Sequence, residues 1–410
     1  MNYLSEFLNF IALNNNYYKN IINSKHIEEV GDINHYPLIS RDELQINRLS
    51  MFSDGYKEKY YWEQLLRKTS SGSTGIPINV YWDFCDYYSS VKVLWKKRKY
   101  YYGIKPNDKY LKFDFININY DNNEKKIPYI YESKNILNIN IEYIIENNDI
   151  NFLFDLIEKF KPKWIYIRPF ILSELINLYV KYDRQKPESL IYIESYGEIL
   201  PKSVQKKARF LFNVPVANMY GSEEHGCIAL ECPFHKMHIL EENIFVECLQ
   251  DDRIVKEGTG EIIITSLKNK AMPLIRYLQG DEITLEKLKN TCQCGSSEAV
   301  ISNIKGRSLE KIRINNQIEL NPQIFLSIMS EVNNQFNGII IKYKYIYYKE
   351  RNHLECYVQL NKRYINWFDS LKQEILYIFD KNLPYFKEKI NIIKIDNFSL
   401  SNKHKIFEIK

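Results

Sequence analysis

No stretch of the 410 residues approaches the ~20 consecutive apolar residues of a membrane span, which argues against membrane insertion. The opening residues, Met-Asn-Tyr-Leu-Ser-Glu, lack a basic region followed by an apolar core. No secretory leader is therefore expected, and a cytoplasmic location is. The seven cysteines do not form the dense pattern of a disulfide scaffold, so they are expected to be reduced or metal-bound. Glycine is scarce, 14 residues, and so is alanine, while Tyr, Asn, Ile and Lys abound. That bias reads as an AT-rich coding sequence rather than as chemistry. Charge of one sign is also lacking: the net charge of +5 is spread thinly. The densest basic run, Lys96-Lys97-Arg98-Lys99 before Tyr100-Tyr101-Tyr102, is short and reads as a solvated helix face, not a nucleic-acid surface. Internal repeats, low-complexity tracts and the Gly-Lys-Ser/Thr of a Walker loop are missing too.

What is present begins at residues 69–77, Thr-Ser-Ser-Gly-Ser-Thr-Gly-Ile-Pro. Ser70, Ser71, Ser73 and Thr74 are interleaved with Gly72 and Gly75, between a polar helical stretch (57–68) and an apolar strand-like one (78–82). Glycines free to take positive φ turn backbone N–H groups inward, and hydroxyls donate to phosphate oxygens. A flexible Ser/Gly linker has similar composition, but a strand directly after Thr-Gly-x-Pro favours a polyphosphate loop. Four further clusters follow: Tyr220-Gly221-Ser222-Glu223-Glu224-His225-Gly226, Arg276-Tyr277-Leu278-Gln279-Gly280-Asp281, Lys305-Gly306-Arg307 and Ser401-Asn402-Lys403-His404-Lys405.

With these five motifs in order, the chain resembles the adenylate-forming (ANL) superfamily, most closely the phenylacetate–CoA ligase, coenzyme F390 synthetase and CapK-like branch. Tyr-Pro-Leu-Ile-Ser-Arg at 36–41 fits the same branch. The resemblance implies two half-reactions. A carboxylate attacks the α-phosphorus of ATP, releasing pyrophosphate, and an acceptor thiol then displaces AMP. It assigns Ser70, Ser71, Gly72, Ser73, Thr74, Gly75, Gly197, Glu198, Tyr220, Gly221, Ser222, Asp281 and Arg307 to ATP. It assigns Glu224 to Mg²⁺ and Lys403 to the charge between carboxylate and α-phosphate. Tyr166, Phe170, Tyr196, His225 and Gly226 are expected to line the acid pocket. The acid is expected to be small and aromatic, and the acceptor to be CoA or the phosphopantetheine arm of an acyl or peptidyl carrier protein. The alternatives are transfer to an amine or hydroxyl, AMP transfer as in F390 synthesis or polysaccharide modification, and a silent nucleotide-binding relative. Oligomeric state is not legible.

The chain departs from the family pattern in four places. Glu223 stands where a small hydroxyl residue is usual, which leaves Glu223 and Glu224 as competing metal ligands, with position favouring Glu224. Asn402 replaces a glycine, Lys405 an arginine, and Leu309, followed by Glu310, a hinge acid.

The cysteines carry a separate signal. Cys232 precedes His235 and His238, and far downstream stands Cys292-Gln293-Cys294. Two short clusters of N/S ligands separated by a long insert is a structural-zinc pattern. Cys232, His238, Cys292 and Cys294 are the expected ligands, with Cys227 and His235 as substitutes. Cys85, Cys248 and Cys356 are isolated and read as buried.

Apolar strands alternate with helices up to about residue 220, as in Trp164–Ile167, Ile171–Lys181, Leu190–Tyr196 and Lys202–Phe212. This predicts an α/β protein with layered, largely parallel sheets. Gly-punctuated short strands then suggest a β-rich subdomain at about 227–300. The expected domains are 1–306, for ATP and acid, and 307–410, a small mobile α+β lid.

Overall fold

The computed structural model describes residues 3–69, 78–113, 130–139, 150–307, 312–313, 319–320, 325, 328–329, 331–332, 335–336, 339–360, 362–396 and 407–410. The candidate phosphate loop at 70–77, the hinge pair Leu309 and Glu310, and Lys403 and Lys405 lie outside the described residues. Of Arg307 the backbone alone is described.

The N-terminal third opens with helices α1 (Tyr3–Asn14), α2 (Asn16–Ser24), α3 (Arg41–Asn47) and α4 (Tyr56–Tyr61). Ser40 starts α3 with a capping box, its side chain accepting from Glu43 N while Glu43 accepts from Ser40 N. The stretch expected to be helical through residue 68 is not: α4 stops at Tyr61, and Leu66–Thr69 is strand β1, antiparallel to β2 (Asn79–Trp82). Helix α5 (Phe84–Tyr102) follows, capped by the Asp83 carboxylate on Cys85 N.

The centre of the molecule is one 13-stranded sheet. It starts from β3 (Tyr110–Phe113), β4 (Ile130–Glu132), β5 (Ile136–Ile139), β6 (Trp164–Ile167), β7 (Tyr192–Tyr196) and β8 (Val216–Ser222). Strands β5, β3, β6, β7 and β8 pair in that order and all in parallel. The sheet then turns antiparallel through β9 (Gly226–Glu231), β10 (Met237–Ile239), β11 (Ile244–Gln250), β12 (Arg253–Val255), β13 (Gly258–Ser266), β14 (Tyr277–Glu286) and β15 (Val300–Arg307). Among the described residues the parallel part and the β-rich stretch of the large unit join in one continuous big sheet.

The two faces of the parallel part differ, because successive side chains point to opposite sides. Leu111, Ile165, Ile193 and Val216 share one row and are buried. They pack with helices α6 (Ile150–Phe160), α7 (Pro169–Lys181) and α8 (Lys202–Phe212) in the main aliphatic core. The opposite face carries Tyr110, Trp164 and Tyr192 in one row, then Lys112, Tyr166 and Glu194 in the next. Tyr110 stacks on Trp164 at 4.6 Å, and Tyr102 of α5 on Tyr192 at 4.1 Å. This aromatic and charged face, covered by α5, is where the site forms.

After β16 (Ile312–Arg313) and β17 (Glu319–Leu320), a separate C-terminal sheet is built from β18 (Ile340–Tyr348), β19 (His353–Leu360), β20 (Ile390–Ile395) and β21 (Phe407–Ile409). Helix α9 (Phe368–Asn382) packs Leu371, Ile375, Ile378 and Phe379 against it. The α/β class with a second, smaller α+β unit is as expected. No helix of the described residues is long and apolar enough to cross a membrane.

Candidate active site

At the carboxyl ends of the parallel strands, beside α5, opens a cleft of about 630 Å³. Carboxyl ends of parallel strands are where open α/β sheets bind ligands. A larger and more open depression, about 850 Å³, lies between Asn16 and Tyr61 and contains none of the motif residues; the chemistry points to the smaller cleft. Its walls bring together Tyr166, Tyr196, Gly197, Glu198, Tyr220, Gly221, Ser222, Glu223, Glu224, Gly226 and Asp281, residues drawn from five strands and two turns. Phe170 and His225 do not line it.

The β8–β9 turn sets much of this geometry. Ser222 pairs with Gly226, leaving Glu223, Glu224 and His225 as the turn. A Cβ on Gly221 would meet Gly226 O at 2.4 Å, so glycine is required there for the two strands to close. Ser222 Oγ donates to Gln279 Oε1 at 3.3 Å and accepts from His225 N at 3.2 Å. The three turn residues diverge. Glu223 is exposed, whereas Glu224 is 2% exposed, and its Oε1 has no hydrogen-bond partner among the described residues although the residue lines the cleft. A buried carboxylate oxygen left without a donor is costly unless a cation meets it. His225 is buried 5.7 Å from the Tyr277 ring, and neither of its nitrogens has a partner among the described residues. Burial alone depresses its pKa to about 3, so the ring is neutral.

Across the cleft, β14 presents Asp281. Tyr220 Oη donates to Asp281 Oδ2 at 2.6 Å, a short charge-assisted bond. The arginine of the same motif points elsewhere. Arg276 forks onto Glu247, its Nε at 2.9 Å from Oε2 and its terminal nitrogen at 2.7 Å from Oε1. It also donates to Tyr36 O at 3.2 Å and Asn34 Oδ1 at 3.1 Å. Ile39 N donates to Arg276 O and Leu278 N to Ile39 O, both at 2.9 Å. The 36–41 and 276–281 motifs are thus two halves of one brace that fixes β14.

Behind the cleft lies a pair that sequence reading missed. Arg98 is buried, not part of a solvated face; its Nε donates to Glu194 Oε2 at 2.9 Å and its terminal nitrogen to Oε1 at 2.5 Å. Tyr192 Oη adds a bond of 3.0 Å to the same carboxylate. The guanidinium lies 4.6, 5.0 and 5.6 Å from the ring centroids of Trp95, Trp164 and Tyr166. The signal available beforehand was a lone acid inside the apolar run 190–196. On the cleft wall, burial pushes the Glu198 carboxyl up, opposed by Arg168 and by the Phe170 N–H. Glu198 is exposed to the cleft.

Cys232, His238, Cys292 and Cys294 do converge, as expected: one ligand atom from each lies within 4.8 Å of all the others. Sulfur ligands about 2.3 Å from a tetrahedral zinc stand about 3.8 Å apart, and Cys294 Sγ is 3.3 Å from His238 Nε2. His238 Nδ1 lies 3.1 Å from Glu298 O, which fixes the proton on Nδ1 and turns Nε2 toward the thiols. The substitutes are otherwise engaged. His235 lies beside Arg209 and Glu231, and Cys227 lines the cleft.

No protein-family model matches the chain. It is 23% identical over 286 residues to Protein CapK of Staphylococcus aureus, covering 68% of this chain and 61% of that protein. It is 29% identical over 161 residues to the phenylacetate-coenzyme A ligase of Thermus thermophilus, covering 37% and 36%. The chain thus spans about three-fifths of the first of these relatives and about one-third of the second. In structure it is similar to 2-hydroxyisobutyryl-CoA ligase in complex with 2-HIB-AMP in the postadenylation state, with TM-score 0.70 at 14% identity over 100% of this chain and 88% of that one. It is also similar to an anthranilate CoA ligase in complex with anthranoyl-AMP, with TM-score 0.55 at 14% identity over 83% and 65%. In fold the chain is similar to these adenylate-forming CoA ligases. Its sequence relatives are those of the phenylacetate–CoA ligase and CapK branch.

Proposed function

We propose that the protein activates a small carboxylic acid with ATP, releasing pyrophosphate, and passes the acyl group to a thiol with release of AMP. The observation that carries this reading is the convergence on one cleft of the Tyr220–Asp281 pair and the buried, unpartnered Glu224 oxygen. Asp281 accepts the ribose hydroxyls and Tyr220 packs its ring on adenine. Ser70–Thr74 hold the β- and γ-phosphates, and Arg307 stands near the ribose. Glu224 fits a magnesium ion, an oxygen-seeking cation that would offset phosphate charge; it is the ligand rather than Glu223, which faces solvent.

The first half-reaction gathers negative charge at the α-phosphorus, so catalysis is positioning and electrostatics. The acid enters between α5 and β6–β8, with its carboxylate toward the nucleotide. Lys403 supplies the compact positive charge between carboxylate and phosphate. The thiol is CoA or the phosphopantetheine of a carrier protein, met in the cytoplasm, where ATP is available and thiols stay reduced. The Cys232–His238–Cys292–Cys294 set fits a closed structural zinc, which would join the loop after β9 to the loop before β15 and take no part in phosphoryl chemistry.

ATP–pyrophosphate exchange, followed by thioester formation with CoA or a phosphopantetheinylated carrier, tests the reading. Acid-dependent exchange with thioester product supports it. Exchange with amide or ester product moves the acceptor to an amine or hydroxyl.

A further inference from the structure

The expected aromatic slot has its two tyrosines in contact with one another. The Tyr166 and Tyr196 rings stack at 3.8 Å between centroids with 5° between planes. Both line the cleft, whereas Arg98 and Glu194, which adjoin Tyr166 on its far side, do not. The stack is therefore a floor, with a satisfied ion pair beneath it. An aryl ring entering between the two would have to open their separation to about twice its present value. Tyr166 resists that movement. It sits on β6 between β3 and β7, with Trp164 at 5.9 Å on one side and the Arg98 guanidinium at 5.6 Å.

We propose that the Tyr166–Tyr196 stack sets the depth of the acid pocket and restricts the enzyme to short, non-aromatic carboxylic acids. This rests on the adenylation reading and narrows it: above the floor the cleft is lined by Val91, Leu94, Met219 and Cys227. Tyr166 and Tyr196 act as specificity-determining residues through ring volume, not through their hydroxyls.

The test compares kcat/KM for pyrophosphate exchange with aliphatic and hydroxy acids of two to five carbons against benzoate and phenylacetate. The full-length protein and the variants Tyr166→Phe, Tyr166→Ala and Tyr196→Ala are assayed. A buried methylene too many already costs about 10–200-fold, so the natural enzyme should disfavour the aryl acids by at least about 100-fold. Tyr166→Phe, which keeps the ring, should preserve that ratio. Tyr166→Ala should raise it toward the aryl acids by about tenfold or more. Should that variant not fold, Tyr196→Ala carries the same expectation, since Tyr196 is only half-buried. A natural preference for aryl acids, or an unchanged ratio in both alanine variants, would overturn the filter and leave adenylation standing. Absence of exchange with every acid would overturn both.

Discussion

Tyr220 Oη reaches Asp281 Oδ2 across the cleft at 2.6 Å, tying the end of β8 to β14. The strands are far apart in the sheet order, with β9, β10 and β15 between them, yet this bond closes one end of the cleft. Hydrogen bonds to a charged group contribute about 1.5–3 kcal/mol. Asp281→Ala should therefore raise KM for ATP by about 10- to 150-fold. Tyr220→Phe, which keeps the ring, should raise it only several-fold. Equal effects of the two changes, measured by exchange kinetics, would separate Asp281 from the ribose.

The divergence of the turn acids predicts an asymmetry. Glu224→Gln should leave weak exchange that no longer responds to magnesium, because its buried oxygen loses its charge. Glu223→Gln, on an exposed side chain, should stay within a few-fold of the natural enzyme. A magnesium titration of both decides; the reverse pattern shifts the metal by one residue.

The zinc set predicts one zinc per chain by elemental analysis. Cys292→Ser combined with Cys294→Ser should release the metal and lower Tm, while residual exchange remains. Metal-free protein that is fully stable and active would remove zinc from the account. Zinc-dependent activity with no change in Tm would give the metal a different role.

Two buried groups predict opposite pH trends in stability. His225 is neutral in the fold with a pKa of about 3, while an unfolded histidine takes a proton near 6.5. As pH falls from about 6.5 toward 3 the unfolded chain binds the extra proton, so stability drops by up to about 1.4 kcal/mol per unit. Glu174, buried on α7, has its pKa raised by burial from 4.5 to about 8. Here the unfolded chain loses the proton first, and stability drops as pH rises from about 4.5 to 8. His225→Phe should flatten the acid limb of a Tm–pH curve, and Glu174→Gln the limb toward pH 8. A variant curve parallel to the natural one would refute the corresponding assignment.

Much of this was legible because motif chemistry is local. The Tyr220–Gly226 turn, Asp281 and the four zinc-pattern residues each stand in a short run whose residue types are set by one job. The alternation of apolar strands and helices likewise gave the parallel core around Ile165 and Ile193. What escaped was long-range pairing. Arg98 reads as surface within Lys96–Lys99 because its partner, Glu194, lies 96 residues away. The pairing of Arg276 with Glu247 and the Tyr36 carbonyl is likewise invisible from its motif. The Tyr166–Tyr196 contact depends on the parallel register of β6 and β7, which periodicity does not set.

The central claim is carboxylate activation by adenylation, and acid-dependent exchange of labelled pyrophosphate into ATP measures it most directly. The account predicts exchange that requires magnesium and one class of short carboxylic acid. It also predicts a loss of at least about a hundredfold in Lys403→Ala, the scale of removing a charge aimed at a transition state. ATP binding without exchange across a broad acid library, in protein carrying its full metal content, would contradict it.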